Sequence, residues 1–234
     1  MPRKVSQNIE MLGIVAKGLK GLKHKVVFVG GATVDLFVVD PAAPATRATE
    51  DVDCVVEITK RVSYYALEEE LRALGFQHPM GEPAPICRWK YSGIKVDVMP
   101  TEGAVLGFTN RWYPEGVANA KAVDLPNGER VSVFSAPYLL ASKLEAFRGR
   151  GKNDYLASKD FEDIVALLDG YPNLEREVTA AADNLRKYLS EEFTLLLKDS
   201  RFELGLNGNL AGGAGGAERI ARCLAISRRL ADIS

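Results

Sequence analysis

The chain has 234 residues, of which 47% are hydrophobic and 26% are charged, and its formal net charge is −1. This composition is sufficient for one large or two modest domains with a real core, and it excludes a surface that is basic throughout, as nucleic-acid binding would favour. Three scattered cysteines and two histidines form no disulfide framework and no zinc motif. We expect a cytoplasmic protein, because neither a signal peptide nor a membrane-spanning stretch is recognisable.

The first part of the chain mixes helices with short strands. Apolar residues at steps of three and four predict an amphipathic helix over 6–22. A buried strand, Val26–Val29, ends in a turn at Gly30 and Gly31, and "ATVDLFVV" then predicts a short helix. After a proline-containing loop, "DVDCVVEI" predicts a strand and "SYYALEEELRALGF" a helix that ends at Gly75.

The remaining elements become increasingly helical. A hairpin is predicted over 88–99, with its turn at Ser92 and Gly93, and "RVSVF" predicts another strand. Helices follow over "PYLLASKLEAF", over "KDFEDIVALLDG" with Ser158 as its N-cap, over 173–198 and over 217–233, with "GLNGNLAGGAGG" as a loop before the last. We therefore predict an α/β (α+β) fold in which a mixed sheet with flanking helices, residues 1–135, precedes a helical domain, residues 136–234.

Two aspartates begin the strand that follows the first loop. Side chains alternate along a strand, so Asp51 and Asp53 share a face, with Cα atoms about 6–7 Å apart. Carboxylates that close repel, and Mg²⁺ would relieve the repulsion. Asp97 lies on the polar face of another predicted strand. Three aspartates with a glycine phosphate turn predict a two-metal site for phosphoryl transfer, whereas each motif alone is common in ordinary strands and turns.

These motifs resemble the nucleotidyltransferase superfamily with the polymerase-β-like fold. The resemblance rests on "VGG" (29–31), "TEDVD" (49–53) and "VDV" (96–98), and "GGATVDLFV…RATEDVD" is closest to the AbiEii-type toxins. That subfamily carries a later lysine and a later aspartate, which Lys143 and either Asp160 or Asp163 would supply. The similarity spans roughly residues 26–168. Ala32 replaces the Thr or Ser expected after the glycines, and Thr33 is the substitute hydroxyl.

The resemblance implies a role for each of these residues. Asp51, Asp53 and Asp97 would bind two Mg²⁺ ions, and Asp97 would also help to deprotonate the attacking hydroxyl. Gly30, Gly31 and Thr33 would contact the β- and γ-phosphates of a nucleoside triphosphate. Lys143 would neutralise charge on the triphosphate, and Asp160 would orient Lys143 or the base.

The resemblance further implies a toxin of a toxin–antitoxin or phage-defence system, with a cognate antitoxin and with tRNA 3′ ends or other RNA as the acceptor. Two alternatives stay open: a small-molecule transferase of the aminoglycoside-modifying kind, and an inactive binding module of the same fold. Basic residues of the second half could bind RNA phosphates or could be ordinary solvated charges; they are Arg148, Arg150, Lys152, Arg219, Arg222, Arg228 and Arg229.

Overall fold

A computed structural model describes residues 5–58, 60–80, 84–107, 109–212 and 215–233. The chain divides into two compact units. Unit 1 comprises Met1–Asp35 and Ala48–Ser135, and unit 2 comprises Leu36–Arg47 and Ala136–Ser234. We call Leu36–Arg47 the strap. The predicted division at residue 135 stays a prediction about domains, and the structure adds that the strap belongs to the second unit.

Unit 1 is a six-stranded mixed sheet with helices. The strands follow the order β3-β4-β2-β1-β6-β5, in which β2 pairs with β4 and β1 with β6 in parallel, and the other pairs are antiparallel. The elements are α1 (Gln7–Leu19), β1 (Val26–Val29), α2 (Gly31–Val34), β2 (Asp51–Val56), α3 (Arg61–Ala73), β3 (Arg88–Tyr91), β4 (Ile94–Pro100), α4 (Gly103–Leu106), α5 (Tyr113–Ala118), β5 (Lys121–Asp124) and β6 (Arg130–Val133).

Apolar side chains of α1, α3 and the central strands form the core of unit 1. Leu12 of α1, Leu67 of α3 and Val52 of β2 are fully buried. Ser6 accepts a hydrogen bond from the Ile9 N–H, which caps α1 and fixes where the predicted helix begins. Ser92 and Gly93 both have positive φ, as the two-residue turn of the β3–β4 hairpin requires. The predicted α/β fold with a mixed sheet is confirmed.

Unit 2 is helical. Its elements are α6 (Ala136–Arg148), α7 (Lys159–Gly170), α8 (Leu174–Thr179), α9 (Asp183–Lys198), α10 (Arg201–Leu210) and α11 (Gly216–Ala231). Ser158 caps α7 by accepting from the Phe161 N–H, as predicted. Among the described residues, none of the helices combines the length and the apolarity that a membrane crossing would require.

The strap is held to α7 by backbone and side-chain contacts. Val39 and Asp40 donate their N–H groups to the Gly170 carbonyl at 3.0 and 3.3 Å. A Cβ on Gly170 would approach Val38 to 2.5 Å, so only glycine allows this close packing. These contacts hold the strap against α7, where it forms turns and irregular segments and no helix. The helix predicted over "ATVDLFVV" is therefore wrong beyond Val34, where α2 ends.

Two predictions for the last part of the chain are also wrong. The helix predicted over 173–198 is two helices, because Ala182 is extended at ψ 148 and Asp183 begins a new first turn, where an acidic residue favours the helix dipole. The loop predicted over "GLNGNLAGGAGG" contains part of α10, although its residues 213–214 lie outside the described residues. Phe202, Leu206 and Leu210 bury one face of α10, and this packing outweighs the low helix propensity of its glycines.

Candidate active site

The two aspartates of β2 lie on the more open face of the sheet. Asp51 and Asp53 are partly exposed, whereas Val52 and Cys54, which alternate with them, are buried. The carboxylates thus share a face, as the two-residue spacing predicts. The apolar half of β2 fixes the strand in the core, and this leaves the acidic half pointing outward.

Asp97 joins them through the register of the sheet. In the parallel pairing of β2 with β4, Asp53 lies opposite Asp97 and Asp51 lies opposite Lys95. Neighbouring strands are about 4.8 Å apart, so the Asp53 and Asp97 backbones are direct neighbours. The Asp97 side chain is 12% exposed, which is less than the 35% of Asp51. The three predicted carboxylates are therefore brought together on two adjacent strands.

Arg88 of β3 completes this group, which we call the sheet cluster: Asp51, Asp53, Asp97 and Arg88. Arg88 lies opposite Asp97 in the β3–β4 pair and donates two hydrogen bonds to its carboxylate, at 2.8 Å from Nε and 2.6 Å from Nη2. The same Nη2 is 3.8 Å from Asp51 Oδ2. The hydrogen bond to Asp97 raises the pKa of Arg88 and outweighs the opposing effect of burial, so the guanidinium stays charged.

A short polar chain holds Asp51 in place. The Thr49 hydroxyl lies 2.7 Å from Asp51 Oδ1 and donates to it, and the Thr49 N–H donates to Asn8 Oδ1 at 3.0 Å. Asn8 is buried in α1. Helix α1 therefore orients the Asp51 carboxylate through two successive hydrogen bonds, between Asn8 and Thr49 and between Thr49 and Asp51. Both bonds are donated by uncharged groups, so they leave the negative charge of Asp51 unneutralised.

Gly30 is required by its contact with Asp53. Its φ is +82°, and a Cβ at this position would overlap the Asp53 carboxylate. Gly31 begins α2, and the buried Thr33 donates its hydroxyl proton to the Gly30 carbonyl at 2.8 Å. A hydroxyl has a single proton, so in this arrangement Thr33 stabilises the turn and offers no donor to a phosphate. Gly30 therefore lies against Asp53 of the sheet cluster, whereas Thr33 is buried and faces inward.

The sheet cluster provides the donor chemistry of a Mg²⁺ site. Asp51, Asp53 and Asp97 offer carboxylate oxygens, the ligands that Mg²⁺ prefers. As they stand, however, no three His, Cys, Asp or Glu side chains in the described part of the chain are grouped to hold a metal ion. Both oxygens of Asp97 accept from Arg88. The residue types suit a divalent cation, but in this structure Asp97 is bound to Arg88.

The other predicted residues lie in a second group within unit 2, the helix cluster: Arg47, Lys143, Arg150, Asp160 and Asp163. Lys143 of α6 donates to Asp160 at 3.0 Å and lies 2.6 Å from Asp163, both in the first turns of α7. Asp160 and Asp163 were alternatives for one role, and both contact the lysine. The side chains of Lys143, Asp160 and Asp163 are 5%, 6% and 3% exposed.

Two arginines complete the neutralisation of these buried carboxylates. Arg47 of the strap donates two bonds to Asp163 at 2.9 Å, and Arg150 donates two to Asp160 at 2.8 and 2.9 Å. Burial acts to raise the pKa of Asp160, but the Arg150 hydrogen bonds and the Lys143 charge outweigh it and lower the pKa to about 2. Asp160 is therefore ionised and held between two cations.

Most of the predicted basic patch is occupied by ion pairs within unit 2. The buried Arg219 and the half-exposed Arg222 bind Asp169, Arg229 binds Glu175 and Arg148 binds Glu192. Side chains committed in this way are poor candidates for binding RNA phosphates.

Cys54 and Cys87 are buried free thiols, and burial raises the pKa of Cys87 to about 12, so neither is a thiolate nucleophile.

The residues missed by sequence reasoning are partners rather than ligands: Asn8, Arg47, Thr49 and Arg88. Asn8 could have been suspected, because it is polar on the apolar face of the predicted first helix. Thr49 and Arg47 stand inside the quoted motif "RATEDVD", but their partners could not be read from it. Arg88 depends on the register of a hairpin with the strand that carries Asp97.

The chain matches a protein-family model. The family described as "Nucleotidyl transferase AbiEii toxin, Type IV TA system" matches residues 15–211. No curated protein matches significantly by sequence.

Solved structures give further similarities. An antigenic nucleotidyltransferase-like protein from Paracoccidioides brasiliensis is 20% identical, with 86% of this chain and 93% of that chain covered and a TM-score of 0.54, which indicates a shared fold. The antibiotic-resistance factor ANT(2'')-Ia is 14% identical over 77% of this chain and 88% of its own, with a TM-score of 0.47. JHP933 from Helicobacter pylori is 11% identical over 97% and 94%, with a TM-score of 0.49.

Proposed function

The chain belongs to the AbiEii nucleotidyltransferase toxin family, and from this premise we propose that it transfers a nucleoside monophosphate from a nucleoside triphosphate to a hydroxyl group of RNA. The observation that carries this proposal is the register that sets Asp53 beside Asp97, with Asp51 two residues away on the same face. As a member of that family the chain is a nucleotidyltransferase, so the inactive binding module is not retained.

The proposed reaction exchanges one phosphorus–oxygen bond for another. The acceptor oxygen bonds to the α-phosphorus, the bond to the β-phosphate bridging oxygen breaks, and pyrophosphate leaves. Asp97 takes the proton of the acceptor hydroxyl. Asp51, Asp53 and Asp97 would hold two Mg²⁺ ions, which would supply positive charge against the phosphates and make the acceptor hydroxyl more acidic.

The remaining predicted residues are proposed to handle the triphosphate. Gly30 and Gly31 allow the backbone to approach its phosphates, because neither carries a side chain. Lys143 keeps the role that the resemblance implies, which is to neutralise charge on the triphosphate. Asp160, 3.0 Å from its ammonium group, fixes the lysine side chain, and binding of a phosphate would require Lys143 to exchange one of its carboxylate partners. Asp163 supports the same role, since it also contacts Lys143.

A basic flank beside the sheet cluster favours RNA over an aminoglycoside. Lys90 and Lys95 are paired across β3 and β4, and they lie on the same face as the Arg88–Asp97 pair because both are two residues away. Lys90 is exposed, and Lys95 contacts the exposed Glu50 at 3.1 Å. Lysines attract the phosphates of an RNA acceptor but repel a polycationic aminoglycoside.

Membership of the family supports a proposal for the biological setting. We propose that a cognate antitoxin counteracts this activity, that tRNA 3′ ends are the acceptor, and that the reaction takes place in the cytoplasm, where tRNA and nucleoside triphosphates are abundant.

A labelling experiment tests these points together. The protein is incubated with each labelled nucleoside triphosphate and with total RNA, with aminoglycosides or with no acceptor, in the presence and absence of Mg²⁺. We expect label on RNA, only with Mg²⁺, with release of pyrophosphate. Binding of RNA should weaken as salt rises, because phosphate contacts release counterions. Label on an aminoglycoside and never on RNA would replace the proposal by the small-molecule alternative.

A further inference from the structure

Arg88 occupies the position where the sheet cluster needs a cation. Its guanidinium binds both oxygens of Asp97 and lies 3.8 Å from Asp51. Two parallel hydrogen bonds to one carboxylate are the strongest arrangement that an arginine offers. The side chains of Arg88 and Asp97 are 28% and 12% exposed, so water weakens this pair less than a typical surface ion pair.

A guanidinium in this place competes with a divalent cation. Asp97 would ligate a metal with the same two oxygens that now accept the Arg88 hydrogen bonds, so the bound guanidinium lies beside the metal position and repels the incoming cation. Arg88 cannot withdraw by losing its proton, because an arginine remains charged in proteins. It must therefore exchange Asp97 for another anion, or else be left half-buried without one, which is unfavourable.

We propose that Arg88 holds Asp97 until nucleotide arrives and then binds a phosphate of that nucleotide. This inference rests on the proposed function and adds a substrate-binding residue to it. The triphosphate is the anion that the reaction itself brings to the cluster. The exchange couples the binding of the two ligands. Divalent cation alone binds weakly, because it displaces Arg88 from Asp97 and leaves the guanidinium without another anion. Together with nucleotide it binds tightly, because a phosphate of the nucleotide then binds the freed guanidinium.

Lys95 provides a matched control. It lies opposite Asp51 on the same face, so its removal also takes one positive charge from beside the cluster. Its ammonium group binds Glu50 and not Asp97. A change that arises from net charge alone should appear in both variants, whereas a change that arises from the exchange should appear only at Arg88.

The test measures Mn²⁺ affinity by electron paramagnetic resonance, with and without a non-hydrolysable nucleoside triphosphate analogue. In the native protein the analogue should tighten Mn²⁺ binding by on the order of a hundredfold. Arg88→Gln should bind Mn²⁺ alone on the order of tenfold more tightly than the native protein, and the tightening by the analogue should shrink accordingly. Lys95→Gln should change both quantities by less than about threefold. By reciprocity, Mn²⁺ should tighten binding of the analogue less in Arg88→Gln.

Circular dichroism checks that each variant is folded. Should Arg88→Gln not fold, Arg88→Lys keeps the charge but loses the paired hydrogen bonds, and it should give an intermediate affinity for Mn²⁺ alone. Native-like affinity and native-like coupling in the folded Arg88 variants would overturn the exchange while leaving the proposed function intact. Absence of Mn²⁺ binding in the native protein even with the analogue would overturn both.

Discussion

The sheet cluster and the helix cluster contain the same kinds of side chain in opposite balance. The first has three carboxylates and one guanidinium, a formal excess of negative charge, and its Asp51 side chain is 35% exposed. The second has two carboxylates with a lysine and two arginines, a formal excess of positive charge, and its carboxylates are 6% exposed or less. The sheet cluster has fewer cationic side chains than carboxylates, whereas the helix cluster has more.

Under the proposed function, this difference separates the carboxylates that would bind an external ligand from those that hold other side chains in place. Removing a carboxylate from the sheet cluster relieves repulsion, so the fold should tolerate it while the chemistry does not. Removing one from the helix cluster takes a buried anion away from the cations that it binds, so the fold itself should be destabilised. Four substitutions test this contrast.

The largest effect is expected for Asp53→Asn. Nucleotide transfer should fall by at least about a thousandfold, because a proposed metal ligand is lost, and the melting temperature should hold or rise, because repulsion with Asp51 and Asp97 decreases. Activity assays and thermal melts on one purified variant measure both. Glu57→Gln, an exposed position one residue beyond β2, should leave both unchanged. A variant that melts earlier and still transfers nucleotide would exclude the metal role of Asp53.

Asp163→Ala should show the opposite pattern. Lys143 and Arg47 both lose a buried partner, and the free energy of unfolding should fall by about 3–5 kcal/mol. Denaturant unfolding measures the loss. Glu162→Gln, the neighbouring position on α7, should cost less than about 1 kcal/mol. Equal losses for the two variants would mean that the helix cluster is not held together by its charges.

Thr49→Val tests the support of Asp51. The variant keeps the shape of the side chain but removes the hydroxyl that donates to the carboxylate, so activity should fall by about ten- to a hundredfold with little change in stability. Thr49→Ser keeps the hydroxyl and should retain most activity. Kinetic constants for both variants at saturating Mg²⁺ distinguish the outcomes, and full activity of the valine variant would remove Thr49 from the site.

The smallest effect is expected for Arg150→Gln, and it depends on pH. The pKa of Asp160 is lowered to about 2 from 3.8, so its ionised form stabilises the fold; this contribution is complete above about pH 4 and is lost as the pH falls through 2. Without Arg150 the pKa should rise towards its ordinary value. Thermal melts from pH 2 to 6 should therefore show a stability difference from the native protein that is largest above pH 4 and disappears near pH 2. A difference independent of pH would contradict this account.

Sequence reasoning found Asp51 and Asp53 of the sheet cluster because local rules determine where they lie. Alternation along a strand places Asp51 and Asp53 on one face, and the glycine turn follows directly from β1. Sequence reasoning fails where a contact depends on residues that are distant in the chain. The pairing of Arg88 with Asp97 requires a specific register, and Arg47 meets Asp163 across 116 positions.

The errors in secondary structure have the same origin. The glycines of "GLNGNLAGG" predict a loop, yet Gly205 lies in a helix packed so tightly that a Cβ would approach Phe161 to 2.6 Å. "ATVDLFVV" has the spacing of a helix, yet α2 ends at Val34, and the N–H groups of Val39 and Asp40 bind the Gly170 carbonyl and not a helical partner. In both places tertiary packing overrides local propensity.

The strap also sets an order in time. Arg47 is synthesised 116 residues before Asp163, and Asp40 precedes its partner Arg219 by a longer interval still. At a translation rate of roughly 5–20 residues per second, Asp163 is synthesised on the order of ten seconds after Arg47. A nascent chain synthesised as far as Ser135 contains every strand of the sheet, but α7, against which the strap packs, has not yet been made. The helical unit can be completed only after synthesis of α11, because α11 supplies the arginine that binds Asp40 and Asp169, so a translation product truncated before α11 should not fold this unit.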